Sequence, residues 1–176
     1  KDGQYDVVVP GSGGKDSAYA AHILKVKYGM HPLTVTWAPN LYTDWGRRNL
    51  QKWIEAGFDN QLFTPNQKVH RILTRIATEN LLHPFQPFIL GQKLLPPKIA
   101  KSLNIPLVFY GENEAEYGNP QSEANNSKRT KKYYTYEKEK QIFISGMEIN
   151  QILESFSLDK NALNLYLPSS SHNNIN

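Results

Sequence analysis

The stretch that most restricts what this chain can fold into is residues 5–24, YDVVVPGSGGKDSAYAAHIL. An apolar run the length of one buried strand breaks into small residues and resumes as a helical pattern. That order, strand then glycine turn then helix, is a unit of a parallel α/β sheet. Two phosphate-loop templates with this layout each fail on one residue. G-x-x-x-x-G-K-[ST] needs a hydroxyl directly after its lysine to hold magnesium, and here Asp16 follows Lys15. G-x-G-x-x-G fits Gly11 and Gly13, but its third glycine would fall at Asp16. In what remains, Ser12-Gly13-Gly14-Lys15-Asp16-Ser17, the glycines let the backbone approach an anion. Ser12, Ser17 and the free N–H groups of the next helix would supply donors at the positive end of its dipole. The bland alternative is a strand-to-helix turn in which Asp16 and Ser17 only cap the helix.

Beyond the loop, extended and helical patterns alternate in the order of a parallel sheet. Strands are expected over 6–10, 33–37, 60–64 and 107–111, with a weaker fifth over 141–145. Helices are expected over 17–28 and 47–56, the latter with Leu50, Trp53 and Ile54 on one face and Gly57 as its cap. A third carries a core stripe of Val69, Ile72, Leu73, Ile76, Ala77 and Asn80, and a short fourth follows Pro96 and Pro97. The fold class is therefore α/β, an open, doubly wound, mostly parallel Rossmann-like sheet. With 176 residues, 39% of them hydrophobic, one domain is expected. It runs over 1–150, with 119–140 as a probable insertion and 151–176 as a C-terminal extension ending in a frayed polar tail.

Composition excludes some functions. No apolar stretch approaches the ~20 residues of a membrane span, and the N-terminus does not read as a signal peptide, so the expected compartment is the cytoplasm. The net charge of +4 is modest, and much of it falls in 128–140, where Lys128, Arg129, Lys131 and Lys132 adjoin Tyr133, Tyr134 and Tyr136. That segment reads equally well as a solvated insertion or as a surface for RNA or a nucleotide sugar; the composition does not itself call for nucleic acid. The chain has no cysteine. It therefore lacks the usual sulfur carrier of thiolation chemistry and the nucleophile of a cysteine-type glutaminase.

The loop Ser12–Ser17 resembles the S-G-G-x-D-S pyrophosphate loop of the ATP pyrophosphatase (adenine nucleotide alpha hydrolase) superfamily at all specified positions. Ligands of open parallel sheets bind at the carboxyl ends of the strands. That places the loop beside WAPNLYTDW, after the second strand, and GENEAEYG, after the fourth. The latter groups Glu112, Glu114 and Glu116, which could face a triphosphate with magnesium between. Solvated loop carboxylates are the plain alternative.

Three longer strings, TVTWAPNLYTDWG, GFDNQLFTPNQKVHRILTRIATENLLHPFQPFILGQK and LVFYGENEAEYGN, are similar to N-acetyl sugar amidotransferases of bacterial surface-polysaccharide and flagellin-glycan biosynthesis. The likeness covers about 5–119. It implies an ATP-dependent enzyme that adenylylates the N-acetyl amide of a nucleotide-linked sugar, releases pyrophosphate and substitutes ammonia to leave an acetamidino group. Glutaminase and cyclase-like partners would supply the ammonia. ATP would lie on Ser12, Gly13, Gly14, Lys15, Asp16, Ser17 and Gly111, with Thr36 and Trp37 reading adenine by backbone groups and stacking. Asp16, Lys15 and Glu112 would serve catalysis, and Asp16 and Glu112 would reach Mg2+. His83, Gln86, Gln92, Lys93 and Asn113 would shape the sugar site, the first four in a Pro-broken stretch expected to be irregular. His83 by itself reads more simply as a structural histidine. The resemblance also implies a cysteine-containing segment before the first strand and further sequence after the sheet. Neither falls within these 176 residues, as in a fragment or a protein whose other parts are separate. Two other functions fit the loop: an RNA-modifying adenylating enzyme such as a tRNA lysidine synthetase, and a non-catalytic ATP-binding module.

Overall fold

A computed structural model describes residues 4–112, 135–136 and 142–170. These fall into two compact units. The first comprises 1–63 and 96–130, the second 64–95 and 131–176.

The first unit is built on a parallel sheet. Strand β1 (Val7–Pro10) pairs with β2 (Pro32–Trp37), which pairs with β3 (Asp59–Phe63). On the other side of β1 the expected fourth strand is reduced to one parallel bridge, Val8 to Val108. It is flanked by the Val8 N–H donating to the Leu107 carbonyl at 2.8 Å and the Phe109 N–H donating to the Val8 carbonyl at 2.9 Å. The strand order thus reverses at β1, which makes β1 the switch point of the sheet. β1 and β2 are buried along their length because Val7, Val8, Val9, Leu33 and Val35 present apolar surface on both faces.

Helix α1 (Lys15–Val26) and helix α2 (Asp44–Glu55) complete the crossovers. Val7, Val9, Ala21, Leu24 and Trp53 form one core cluster between them and the sheet. Of the expected α2 face only Trp53 is buried, while Ile54 is 41% exposed. Gly57 adopts φ +80 just beyond the helix, as its expected capping role requires. Thr43 caps the other end, accepting from the Gly46 N–H at 3.0 Å.

In the second unit, helix α3 (Gln67–Leu81) buries Val69, His70, Leu73, Ile76 and Ala77, close to the expected stripe. Asn66 caps it, accepting from the Lys68 N–H at 3.0 Å. Residues 151–170 lend this unit Ile152, Leu163 and Tyr166, all buried. Short parallel strands β4 (Thr135–Tyr136) and β7 (Ser169–Ser170) pair with each other. Helix α5 (Ile149–Ser155) and a 3-10 helix (Lys160–Tyr166) lie between them in sequence.

Two expectations are corrected. Of the stretch HPFQPFILGQK only 83–85 lie outside regular structure; from Gln86 one continuous helix, α4, runs to Ser102 with Pro96 and Pro97 inside it. The prolines withhold the N–H groups that would serve the carbonyls of Gln92 and Lys93, one turn back, and their rings crowd those carbonyls, yet the helix persists on either side. The boundary between the two units falls at Leu95 and Pro96. The weaker fifth strand does not join the parallel sheet either. β5 (Phe143–Ile144) folds back antiparallel on β6 (Met147–Glu148) through Ser145 and Gly146, both with positive φ, +58 and +78. A two-residue turn of that kind twists with a hairpin and cannot serve a crossover.

Candidate active site

The loop leaves β1 at Gly11, and both polar groups of Gly11 are tied to β2. Its N–H donates to the Val35 carbonyl at 2.9 Å, and its carbonyl accepts from Thr36 Oγ1 at 2.7 Å. Thr36 in turn accepts from Asn60 Nδ2 at 3.4 Å, and Asn60 also donates to Thr34 Oγ1 at 2.8 Å. A buried polar relay across three strands thus fixes where the loop begins. Thr36 is 1% exposed and its hydroxyl serves this relay. Trp37 is 4% exposed, with its ring stacked 5.4 Å from Phe63. Of the expected adenine contacts, backbone reading at these two residues is therefore easier to reconcile with the packing than ring stacking.

The four glycines around this end of the sheet differ in what surrounds them. A Cβ at Gly11 would lie 2.6 Å from the Ser17 side chain and 3.0 Å from Trp53 Cζ2. Gly13 has φ +89, and a Cβ there would overlap the carbonyl of Asn49 on α2. At Gly111 a Cβ would lie 2.8 Å from the Asp16 carbonyl oxygen and 2.9 Å from Ser17 Cα. Packing therefore explains three of the four. Gly14 is the exception, with ordinary φ −66 and nothing within 4 Å of its missing Cβ. The space above it is open.

Gly14 is also the N-cap of α1, and no side chain caps that helix end. The capping alternative is thus not what the structure shows: Asp16 is exposed in the first turn, and Ser17, 6% exposed, donates its hydroxyl to the Gly14 carbonyl at 3.1 Å. Ser17 holds the exit of the loop. The first-turn N–H groups face outward at the positive end of a twelve-residue helix, the arrangement that binds anions. Ser12, Lys15 and Asp16 are exposed around it. Because Gly111 packs on the backbone of Asp16 and Ser17, the exposed Glu112 next to it belongs to the same edge of the sheet. Two carboxylates together with phosphate oxygens are an ordinary donor set for Mg2+. Among the described residues no group of three or more His, Cys, Asp or Glu could hold a metal without such oxygens.

The start of α2 supplies a basic aromatic rim. The Arg48 guanidinium lies 5.1 Å from the Trp45 ring and that of Arg47 lies 5.7 Å from Tyr42. Trp45 is 71% exposed. The Tyr42 hydroxyl is buried without a hydrogen-bond partner among the described residues. Its pKa is raised, chiefly by desolvation and against the pull of Arg47.

Of the other expected residues, His83, Gln86, Gln92 and Lys93 belong to the second unit. His83 is exposed, with its N–H donating to the Ala77 carbonyl at 3.2 Å. Gln86 Oε1 accepts from Ser145 Oγ at 3.4 Å. Asn113, Glu114, Glu116 and all of 128–140 except Thr135–Tyr136 lie outside the described residues, as does His172. Sequence reasoning missed Asn49 and Trp53 as the floor of the loop. The only signal for Trp53 was membership of an α2 face, which does not show what that face supports, and nothing marked Asn49.

No family model matches the chain, and no curated protein matches it in sequence. Among solved structures it is similar to NMN synthetase from Francisella tularensis. The TM-score is 0.50 at 16% identity, over 96% of this chain and 71% of that one. At that identity the likeness is one of fold. The chain has an α/β, Rossmann-like fold. Among the described residues no helix is long and apolar enough to cross a membrane.

Proposed function

We propose that this chain is an ATP-dependent enzyme of the pyrophosphate-loop superfamily that forms AMP and pyrophosphate. The observation that carries the reading is the uncapped start of α1 at the switch point of the sheet, with open space over Gly14. The similar fold of a synthetase and the S-G-G-x-D-S spacing of Ser12 to Ser17 support it. The N–H groups of Gly13, Gly14 and Lys15 would hold the β and γ phosphates, with Ser12 and Lys15 at the rim. Mg2+ would lie between those phosphates and Asp16 and Glu112, neutralising charge.

The acceptor in this reading is the N-acetyl amide of a nucleotide-linked sugar, on the strength of the three strings that resemble sugar amidotransferases. An amide carbon is a poor electrophile. Its oxygen attacks the α-phosphorus of ATP, the bond to the β-phosphate oxygen breaks, and pyrophosphate leaves into the loop. Ammonia then adds to the activated carbon, AMP leaves with the former amide oxygen, and an acetamidino group remains. A preorganised donor aimed at charge developing in a transition state is worth about 3–4 kcal/mol in an oxyanion hole, and the loop's N–H groups would act on the departing pyrophosphate in the same way. Because the chain has no cysteine, the ammonia would come from a glutaminase partner delivering through a cyclase-like subunit.

The test incubates the protein with Mg2+-ATP, a UDP-N-acetyl sugar or tRNA, and glutamine or ammonium, following AMP, pyrophosphate and sugar mass. The expected result is a sugar one mass unit lighter, formed with ammonium and not with glutamine alone. AMP formation that requires tRNA and ignores the sugar would replace the acceptor. No pyrophosphate under any condition would remove the enzymatic reading.

A further inference from the structure

Trp53 carries an indole N–H that is buried and has no hydrogen-bond partner among the described residues, in a side chain only 1% exposed. Buried donors in native proteins are nearly always paired, because an orphan forfeits its hydration. This one lies under the phosphate loop. The ring runs from its Cβ, 3.1 Å from where a Gly13 Cβ would be, to Cζ2, 3.0 Å from where a Gly11 Cβ would be. Nε1 sits on the ring carbon bonded to Cζ2. With almost no accessible surface, the N–H can be satisfied only from within the protein.

The loop offers candidates by elimination. The Gly11 carbonyl is held by Thr36, and the Gly14 carbonyl by Ser17 Oγ and the Ala18 N–H. The Ser12 and Gly13 carbonyls make no backbone hydrogen bond among the described residues, and of the two it is the Ser12 carbonyl that lies between the glycines spanning the ring. In a planar trans peptide the C=O and N–H point opposite ways. Turning the Ser12–Gly13 peptide so that its carbonyl faces Trp53 therefore turns the Gly13 N–H outward, toward the anion. Such a rotation changes φ of the second residue, which is tolerated where that residue is glycine.

We propose that Trp53 is a positioning residue whose buried N–H donates to the Ser12 carbonyl when the loop binds pyrophosphate, holding the Gly13 N–H on the phosphate. The inference rests on the reading of the loop as a pyrophosphate site. Its test compares wild type with Trp53→Phe, which keeps an aromatic ring and deletes the donor. Titration with magnesium pyrophosphate is followed by calorimetry, melting is recorded without ligand, and the 15N–1H indole signals of the three tryptophans are followed by NMR. The expected result is a pair of opposite signs. Without ligand the variant melts no lower than wild type, because an orphan donor has gone, while its pyrophosphate affinity falls about five- to tenfold, the worth of one hydrogen bond. In wild type the Trp53 indole signal shifts and its exchange slows on adding pyrophosphate. Unchanged affinity in the variant, or an unmoved indole signal in a wild type that binds, overturns the inference and leaves the loop reading standing. A wild type that does not bind pyrophosphate overturns both. Should Trp53→Phe fail to fold, the wild-type indole signal decides alone.

Discussion

The two ends of the three-stranded sheet treat their polar groups in opposite ways. At the amino ends of the strands the polar groups of Tyr5, Asp6, Lys25, His31 and Asp59 are partnered. The Tyr5 hydroxyl donates to Asp59 Oδ2 at 2.8 Å and the His31 N–H to Asp6 Oδ2 at 2.7 Å. Lys25 Nζ donates to the Gly57 carbonyl at 2.8 Å while lying 5.2 Å from the Phe58 ring. Asp59 also faces His31 Nε2 at 3.9 Å. At the carboxyl ends a helix starts without a side-chain cap, and two buried donors, on Trp53 and Tyr42, have no partner among the described residues. Unsatisfied groups cost stability, of order 1–3 kcal/mol each. The proposed pyrophosphate site uses the end where such groups are left over, although the amino end also carries a small cavity, lined by Lys25, His31, Pro32, Gly57, Phe58 and Asp59.

The largest expected effect separates glycines that packing requires from the one it does not. Gly14→Val should lower the melting temperature only by what a poorer N-cap costs, about 1 kcal/mol, and lower pyrophosphate release by about a hundredfold or more, since its side chain would fill the anion's space. Gly13→Val should lose fold and activity together: strain at φ +89 adds about 1–3 kcal/mol to the collision with Asn49. Thermal melts beside a pyrophosphate-release assay read both. Parallel loss of stability in the two variants would erase the distinction.

A middle-sized effect is expected at Thr36→Val, which leaves the Gly11 carbonyl unpaired. It should cost about 1–3 kcal/mol in denaturant unfolding and loosen the loop, raising KM for ATP more than it alters the acceptor's. A variant as stable as wild type would mean that the Asn60–Thr36 relay does not anchor the loop.

In the second unit His70, 1% exposed, has its pKa lowered by desolvation and its Nδ1 2.8 Å from the Tyr166 hydroxyl. A lowered folded pKa means that the unfolded chain takes up the proton first. The contribution is whole above the unfolded value of about 6.5 and is lost as pH falls through the folded value. Melting temperature should therefore drop below about pH 6.5, and His70→Gln should flatten that drop; an equal slope in the variant would assign it to other groups.

The smallest effect is expected at the closed end. Asp59→Asn should leave pyrophosphate release untouched and shift stability by no more than about 0.5 kcal/mol, the usual range for an exposed site.

How much of this the sequence disclosed depends on how local the cause is. The loop, α1, α2, α3 and the first three strands were legible because each follows from periodicity, caps and glycine punctuation within a dozen residues. The fourth strand was legible in place but not in extent: Leu107 and Phe109 look like strand residues, yet only Val108 pairs. α4 was misread because proline was given its usual meaning as a breaker, whereas this long apolar helix continues through two adjacent prolines despite their lost hydrogen bonds and crowded carbonyls. The hairpin at Ser145–Gly146 rests on positive φ at a serine, which residue type did not announce. At the site, the sequence indicated which residues form the loop and could not tell glycines held by packing from the one left open, because Asn49, Trp53 and Asp16 approach them only in the folded chain.

The central claim is that the open end of the sheet is a pyrophosphate site, and calorimetric titration of magnesium pyrophosphate tests it most directly. Wild type and Asp59→Asn should bind one equivalent with the same affinity, and Gly14→Val, folded as judged by its melt, should show no saturable binding. Equal binding by all three proteins, or none by wild type, would contradict the account.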